Sequence, residues 1–252
     1  ALKLRKSVEL DVNGALTKVA DLSGEKTADL LLINDRDLSY AKLRFDDRSV
    51  ATLKSHLGAL SDDLARALCW AAVWDMHRDA EISTSDFMQI AFSGLKGETD
   101  DAIVSIVLSQ LTTSVEAFAK DANRDAYREK LADALWQLAK DSKPASDLQL
   151  IYTRAYAANA FTPDQISKLR EVLTGSIAGL KIDTDLRWYL LIALTERGAT
   201  TKSELEAELA KDNTTTGNIA FETALAAFPN SDAKAYAFNK VRDESAANSI
   251  RS

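Results

Sequence analysis

Apolar and polar side chains alternate at both ends of the first 45 residues. Val8, Leu10 and Val12 stand against Glu9, Asp11 and Asn13, and Ala41, Leu43 and Phe45 stand against Lys42, Arg44 and Asp46. Beyond Phe45 the period changes, and Leu64, Ala67, Leu68, Ala71 and Trp74 recur at intervals of three and four. A period of two lines one face of a strand, whereas a period near 3.6 lines one side of a helix. The pattern therefore predicts three or four short strands in residues 1–45, followed by a long helical array in residues 46–252.

Turn chemistry sharpens the first part. Asn13-Gly14 lies between two apolar stretches and predicts a type I′ hairpin, which needs positive φ at both central residues. The continuous apolar run at 30–33 predicts a strand buried on both faces, and Asn34-Asp35-Arg36-Asp37 predicts a turn. So few strands cannot close a barrel or complete a sandwich, so this segment is expected to need a sheet from outside the chain.

In the second part, ten or eleven helices are expected. Thr162-Pro163-Asp164-Gln165 and Thr201-Lys202-Ser203-Glu204 both read as capping boxes, the first with proline preset at the first helical position. Ser61-Asp62, Ser146-Asp147 and Thr184-Asp185 are further starts, and Pro144 and Pro229 are stops. The stretch 101–118 carries a wide apolar arc (Ile103, Val104, Ile106, Val107, Leu108, Leu111, Val115, Phe118), which predicts cover on more than one side. The stretch 130–140 shows a narrow stripe of Leu131, Ala134, Leu135 and Leu138, which suits an outer helix. The expected fold class is mainly α: an irregular α-solenoid or superhelical bowl of antiparallel helix pairs, preceded by a small β-strand segment. No fixed-period repeat is present, so the solenoid should be irregular.

The bulk numbers set limits. The chain has 252 residues, 46% hydrophobic and 27% charged, enough for one large or two smaller domains. Its net charge of -7 argues against a general phosphate-binding surface, so no nucleic-acid partner is expected. No apolar run approaches the ~18 residues of a membrane span, and no apolar stretch follows the basic start Lys3-Leu4-Arg5-Lys6. No membrane partner is expected, and a cytoplasmic location is. The chain does not begin with Met, which fits a piece of something longer and equally fits removal of an initiator residue.

Candidate chemistry is sparse. Cys69 cannot form an internal disulfide because it is the single cysteine, and it reads as a small buried hydrophobe within Leu68-Cys69-Trp70-Ala71. Zinc hydrolysis on a helix commonly uses His-Glu-x-x-His. Only His56 and His77 are present, and neither is followed by Glu. His77 and Glu81 share a helical face at four residues, but two ligands do not make a site. Asp121-Ala122-Asn123-Arg124-Asp125 imitates a calcium loop, but Ala126 and Ala132 replace the required Gly and Glu. Gly94-Leu95-Lys96-Gly97 reads as a helix stop, Gly175-Ser176-Ile177-Ala178-Gly179 has its serine misplaced for a nucleophile elbow, and Asn213-Thr214-Thr215 is an accidental sequon. Trp70, Trp74, Trp136 and Trp188 read as core.

Three stretches resemble one family. Leu30-Leu31-Leu32-Ile33-Asn34-Asp35-Arg36-Asp37-Leu38-Ser39-Tyr40-Ala41-Lys42-Leu43 resembles the strand and turn preceding the helical domain of bacterial aminopeptidase N, a family of gluzincin zinc aminopeptidases. Leu64 to Met76, with Arg78-Asp79-Ala80-Glu81, resembles an early helix of that domain. Asp185-Leu186-Arg187-Trp188-Tyr189-Leu190-Leu191 and Asp212-Asn213-Thr214-Thr215-Thr216-Gly217, running to Ala227-Phe228-Pro229, resemble its later part. Phe238 departs from the pattern, where Trp is expected.

The resemblance implies a position and a role. Residues 1–45 would be the last strands of a β-sandwich domain, and residues 46–252 most of a helical C-terminal domain. The zinc motif, its distant Glu ligand and the Gly-Ala-Met-Glu-Asn loop of the family lie upstream, so no catalytic, cofactor-binding or metal residue carries over. The implied partners are an upstream catalytic domain of the same polypeptide and a peptide substrate, with zinc held in that other domain. The expected role is a non-catalytic module that caps the active site, encloses peptide and gates access, inactive by itself. The alternative is a free-standing α-solenoid adaptor that binds a protein partner.

Overall fold

The structure, a computed structural model, describes residues 2–243. Its described residues contain eleven α-helices and no strand. The mainly helical expectation holds, but the β segment does not take ladder form in this chain. Residues 2–46 are irregular apart from turns and a short 3-10 helix, Ala20–Leu22. The reason is the one that makes strands dependent on neighbours. A helix pairs its own amides, but a strand needs a second strand to take its N–H and C=O groups.

The expected turns form with altered detail. Gly14 carries φ of +71°, but Asn13 is not at positive φ, so the turn is not of type I′. Asn13 instead bonds through its backbone to the Thr17 hydroxyl. At the second turn Asn34 and Asp37 adopt φ of 60° and 54°. The Asn34 carboxamide brackets Ser39, accepting from its amide at 3.0 Å and donating to its carbonyl at 2.8 Å.

Two compact units divide the chain, the first ending at Ser114 and the second beginning at Val115. In the first unit, α1 (Asp47–His56) packs on α3 (Thr84–Leu95), and α2 (Asp63–Arg78) packs on α3 and α4 (Asp101–Thr113). Buried positions on α2 are Arg66, Cys69, Trp70, Val73, Met76 and His77, a helical stripe with Ala72 beside it. On α4 the buried stripe is Val104, Val107, Leu108 and Leu111, whereas Ile106 is 57% exposed. The wide arc read from the sequence is therefore only partly covered. The short turn Leu57–Ala59 meets the end of α3 at glycines, and a Cβ on Gly97 would lie 2.4 Å from the Gly58 carbonyl oxygen.

The irregular segment is fastened to this unit at its C-terminal end. The Leu31 amide donates to the Ser49 hydroxyl, and the Thr52 hydroxyl donates to the Asp29 carbonyl. Lys42 and Arg44 pair with Asp79, and Arg44 also with Glu81.

In the second unit α5 (Asp121–Asp141) packs along α6 (Asp147–Asn159), and α8 (Thr184–Glu196) takes α6 and α7 (Pro163–Val172) on one hand and α10 (Thr215–Ala227) on the other. α9 (Lys202–Leu209) and α11 (Ser231–Arg242) lie on α10. One core cluster joins Trp188, Leu191, Leu205 and Ala224, with Phe221 and Phe228 against it. Both expected capping boxes are present, at Thr162/Gln165 and Thr201/Glu204. The start expected at Thr184-Asp185 is capped one residue earlier, by Asp183.

Candidate functional site

Each unit holds polar side chains in its interior, and these are the places where chemistry could reside. In the first, Arg66 on α2 is 5% exposed and Glu98, in the α3–α4 link, is 3% exposed. Glu98 accepts from the Arg66 guanidinium at 3.2 Å, from the Trp70 indole at 3.0 Å and from the Thr99 amide at 3.0 Å. Burial works to raise the Glu98 pKa, but these donors outweigh it and hold the carboxyl below its ordinary value. A buried charge fully supplied with donors in this way braces the helix link and leaves no lone pair facing a reactant.

His77 is the penultimate residue of α2. Nδ1 is 2.9 Å from the Ile82 carbonyl and Nε2 is 2.7 Å from the Ser114 hydroxyl. Its ring stacks on Phe87 at 4.8 Å. Glu81 turns away to Arg44, so the pair His77 and Glu81 is not brought together. Burial pushes the Cys69 thiol up to about 12, which keeps it protonated and unreactive at neutral pH.

His56 lies on α1 beside Ser55, whose hydroxyl is 3.0 Å from Nδ1. The open groove around them also includes Asp29, Arg48 and Thr52. Asp29 pairs with Arg48 at 2.6 Å, so its carboxylate is committed away from the imidazole and a Ser-His-Asp relay does not assemble. Among the described residues no group of three or more His, Cys, Asp or Glu side chains could hold a metal ion.

The second unit has a shallow cleft lined by Glu116, Arg128, Asn159, Phe161 and Arg197. Arg128 grips Glu116 with two nitrogens and reaches Asp125 at 3.0 Å. Arg197 donates to the carbonyls of Ala158, Ala160 and Ala193, which ties the end of α6 to α8. Such a cleft can touch a polar chain, but it offers no paired acid and base for a reaction. The imitation calcium loop at Asp121 is the first turn of α5, where Arg124 bonds Asp121.

Two of the tryptophans read as core are deeply buried: Trp70 and Trp188 are each 3% exposed. Both donate their indole N–H to a carboxylate, Trp70 to Glu98 and Trp188 to Asp212 at 2.9 Å. Asp212 also accepts from the Thr214 hydroxyl, and that oxygen caps α10 through the Gly217 amide. A Cβ on Gly217 would lie 2.1 Å from the Asp212 carbonyl oxygen. The fixed spacing of Asp212, Thr214 and Gly217 is thus a helix start locked to α8. Sequence reasoning missed Glu98, Ser114 and Glu208, because nothing local separates them from solvated polar residues. Glu208 is 5% exposed and takes both ends of the Arg187 fork at 2.8 Å.

Comparison with known proteins gives these features a context. Residues 30–251 match the ERAP1-like C-terminal domain. The chain is 41% identical over 236 residues to aminopeptidase N of Streptomyces lividans. That alignment takes in 93% of this chain but 28% of the relative, so the chain spans less than a third of the protein it matches. With most of its length matched, the chain belongs to the ERAP1-like C-terminal domain family.

Proposed function

We propose that this chain is the non-catalytic helical module of a zinc aminopeptidase, which caps the active site, encloses the peptide and gates its access. The observation that carries the reading is the family match over residues 30–251, together with 41% identity to a protein named aminopeptidase N. The parent activity is release of N-terminal residues from peptides. In this reading residues 46–252 form an irregular solenoid or bowl over the site. Residues 1–45 are the last strands of a β-sandwich domain whose other strands lie elsewhere in the same polypeptide, and the whole is cytoplasmic.

One property of the chain supports that division of labour. Apolar residues of the irregular segment lie open, with Leu16 81% and Leu38 77% exposed, as a surface awaiting cover would be. Closure of a module over a reaction site excludes water and bulky chains, which is how lids contribute.

The test has two arms. The 252-residue chain, purified and supplied with zinc, is expected not to hydrolyse an aminoacyl reporter; turnover that persists through a second, independent purification overturns the proposal. In the longer enzyme, removing this module should depress hydrolysis of peptides more than hydrolysis of a single-residue reporter. Equal loss of both, or of neither, removes the enclosing role.

A further inference from the structure

α4 does not end in the ordinary way. Ser114–Phe118 winds as a π-helical turn, a rare form that concentrates at functional positions. Its first residue, Ser114, is fully buried, and its hydroxyl meets Nε2 of His77. The other ring nitrogen, Nδ1, meets the Ile82 carbonyl. A carbonyl oxygen only accepts, so this network assigns the proton of the neutral ring to Nδ1. Nε2 is then the acceptor, and the Ser114 hydroxyl donates to it.

We propose that His77 is a proton-sensitive latch on the π-helical turn: the neutral imidazole holds Ser114 through Nε2, and the imidazolium lets it go. Protonation places an N–H on Nε2, aimed at a hydroxyl that is itself donating along the same line. The hydroxyl must swing its proton away, in a site that is closed to water and stacked on Phe87.

Charged side chains on the surrounding elements are engaged elsewhere. On α2 and just after it, Asp75 pairs with Arg78, Asp79 with Lys42 and Arg44, and Glu81 with Arg44. On α3, Asp86 pairs with Lys54, and within the turn Glu116 pairs with Arg128. Burial accordingly lowers the His77 pKa, opposed by the bond to the Ile82 carbonyl. A pKa lowered by folding means that the latch is fully made above the ordinary value of 6.5 and is lost as pH falls through the lower folded value.

Amide exchange on the 252-residue chain reads the latch directly. Protection factors at residues 115–119, which divide out the intrinsic pH dependence of exchange, should fall about fivefold between about pH 7.5 and about pH 5, the worth of one net hydrogen bond. In Ser114→Ala they should be low at both pH values. Nitrogen-resolved NMR of the wild-type ring should show the Nδ1–H tautomer at neutral pH, a result that does not depend on any variant folding. An Nε2–H tautomer overturns the proposal. So does protection at 115–119 that stays constant while the ring titrates, or a Ser114→Ala variant that keeps the wild-type pH response.

Discussion

The irregular segment 2–46 and the helices that follow it are both patterned to bury one face, and only the helices do so. On α2 the covered stripe is Cys69, Trp70, Val73, Met76 and His77, one face round from the Leu64, Ala67, Leu68, Ala71 and Trp74 expected from the sequence, of which Leu64 and Ala71 are exposed. In the first segment Leu10, Val12, Ile33 and Tyr40 lie exposed with no covered face beside them. The difference teaches what a pattern can achieve without a partner. A helix closes its own backbone bonds and then needs only a neighbour for its stripe, which the next helix along the chain supplies. A strand needs both a ladder and a cover, and the described residues give it neither. Where the segment does meet the helices, it is held by specific polar ties such as Leu31 to Ser49 and Arg44 to Glu81.

The sharpest way to break this contrast is to remove one partner of a buried pair among the helices. Glu98→Ala leaves the Arg66 guanidinium buried without its main carboxylate and should cost about 3–5 kcal/mol in urea unfolding. A loss under ~1 kcal/mol would mean that the α3–α4 link is not braced by this charge. Leu111→Ala, at a fully covered position on α4, should cost about 2–5 kcal/mol by the same measurement.

Smaller effects should follow for groups at helix ends. Thr162→Ala removes the hydroxyl that takes the Gln165 amide and should cost ~1 kcal/mol. Glu204 belongs to the other capping box, and Arg170, with help from Thr200 and the Thr201 amide, holds its pKa down to about 2 from 4.5. Its folded pKa is depressed, so its stabilisation is present above 4.5 and lost as pH falls toward about 2. Glu204→Gln should therefore flatten the acid limb of a stability–pH curve in that window, and an unchanged limb would remove Glu204 from the account. The smallest effect belongs to the exposed segment: Leu38→Ala should change stability by less than about 0.5 kcal/mol. A cost comparable with that of Leu111→Ala would show that the segment is packed in solution and erase the contrast.

Much of the helical part was legible along the chain, because caps and periodicity act within a few residues. Thr162 with Gln165 and Thr201 with Glu204 formed as read, and Pro229 stands between α10 and α11. The one-residue offset at Asp183 reflects two adjacent candidates, Asp183 and Thr184, for one cap. The π-helical turn at Ser114 was not legible, since its stretch reads as a plain continuation of α4. Nor were the buried acids, because a carboxylate acquires its partner from another element. Glu98 and Arg66 stand 32 residues apart, and Trp188 and Asp212 stand 24 apart.

The sequence by itself determined which stretches coil into helices and several of the helix starts, Thr162 and Thr201 among them, and that the chain lacks a motif for binding a catalytic metal on a helix. Local hydrogen bonding and the 3.6-residue period settle these matters without reference to distant contacts. Tertiary structure alone decided which charges are buried, that His77 closes on Ser114, and that the alternating residues near the start remain without a ladder. Those outcomes depend on which elements meet in space, and pairing across tens of residues is set by packing the whole chain at once.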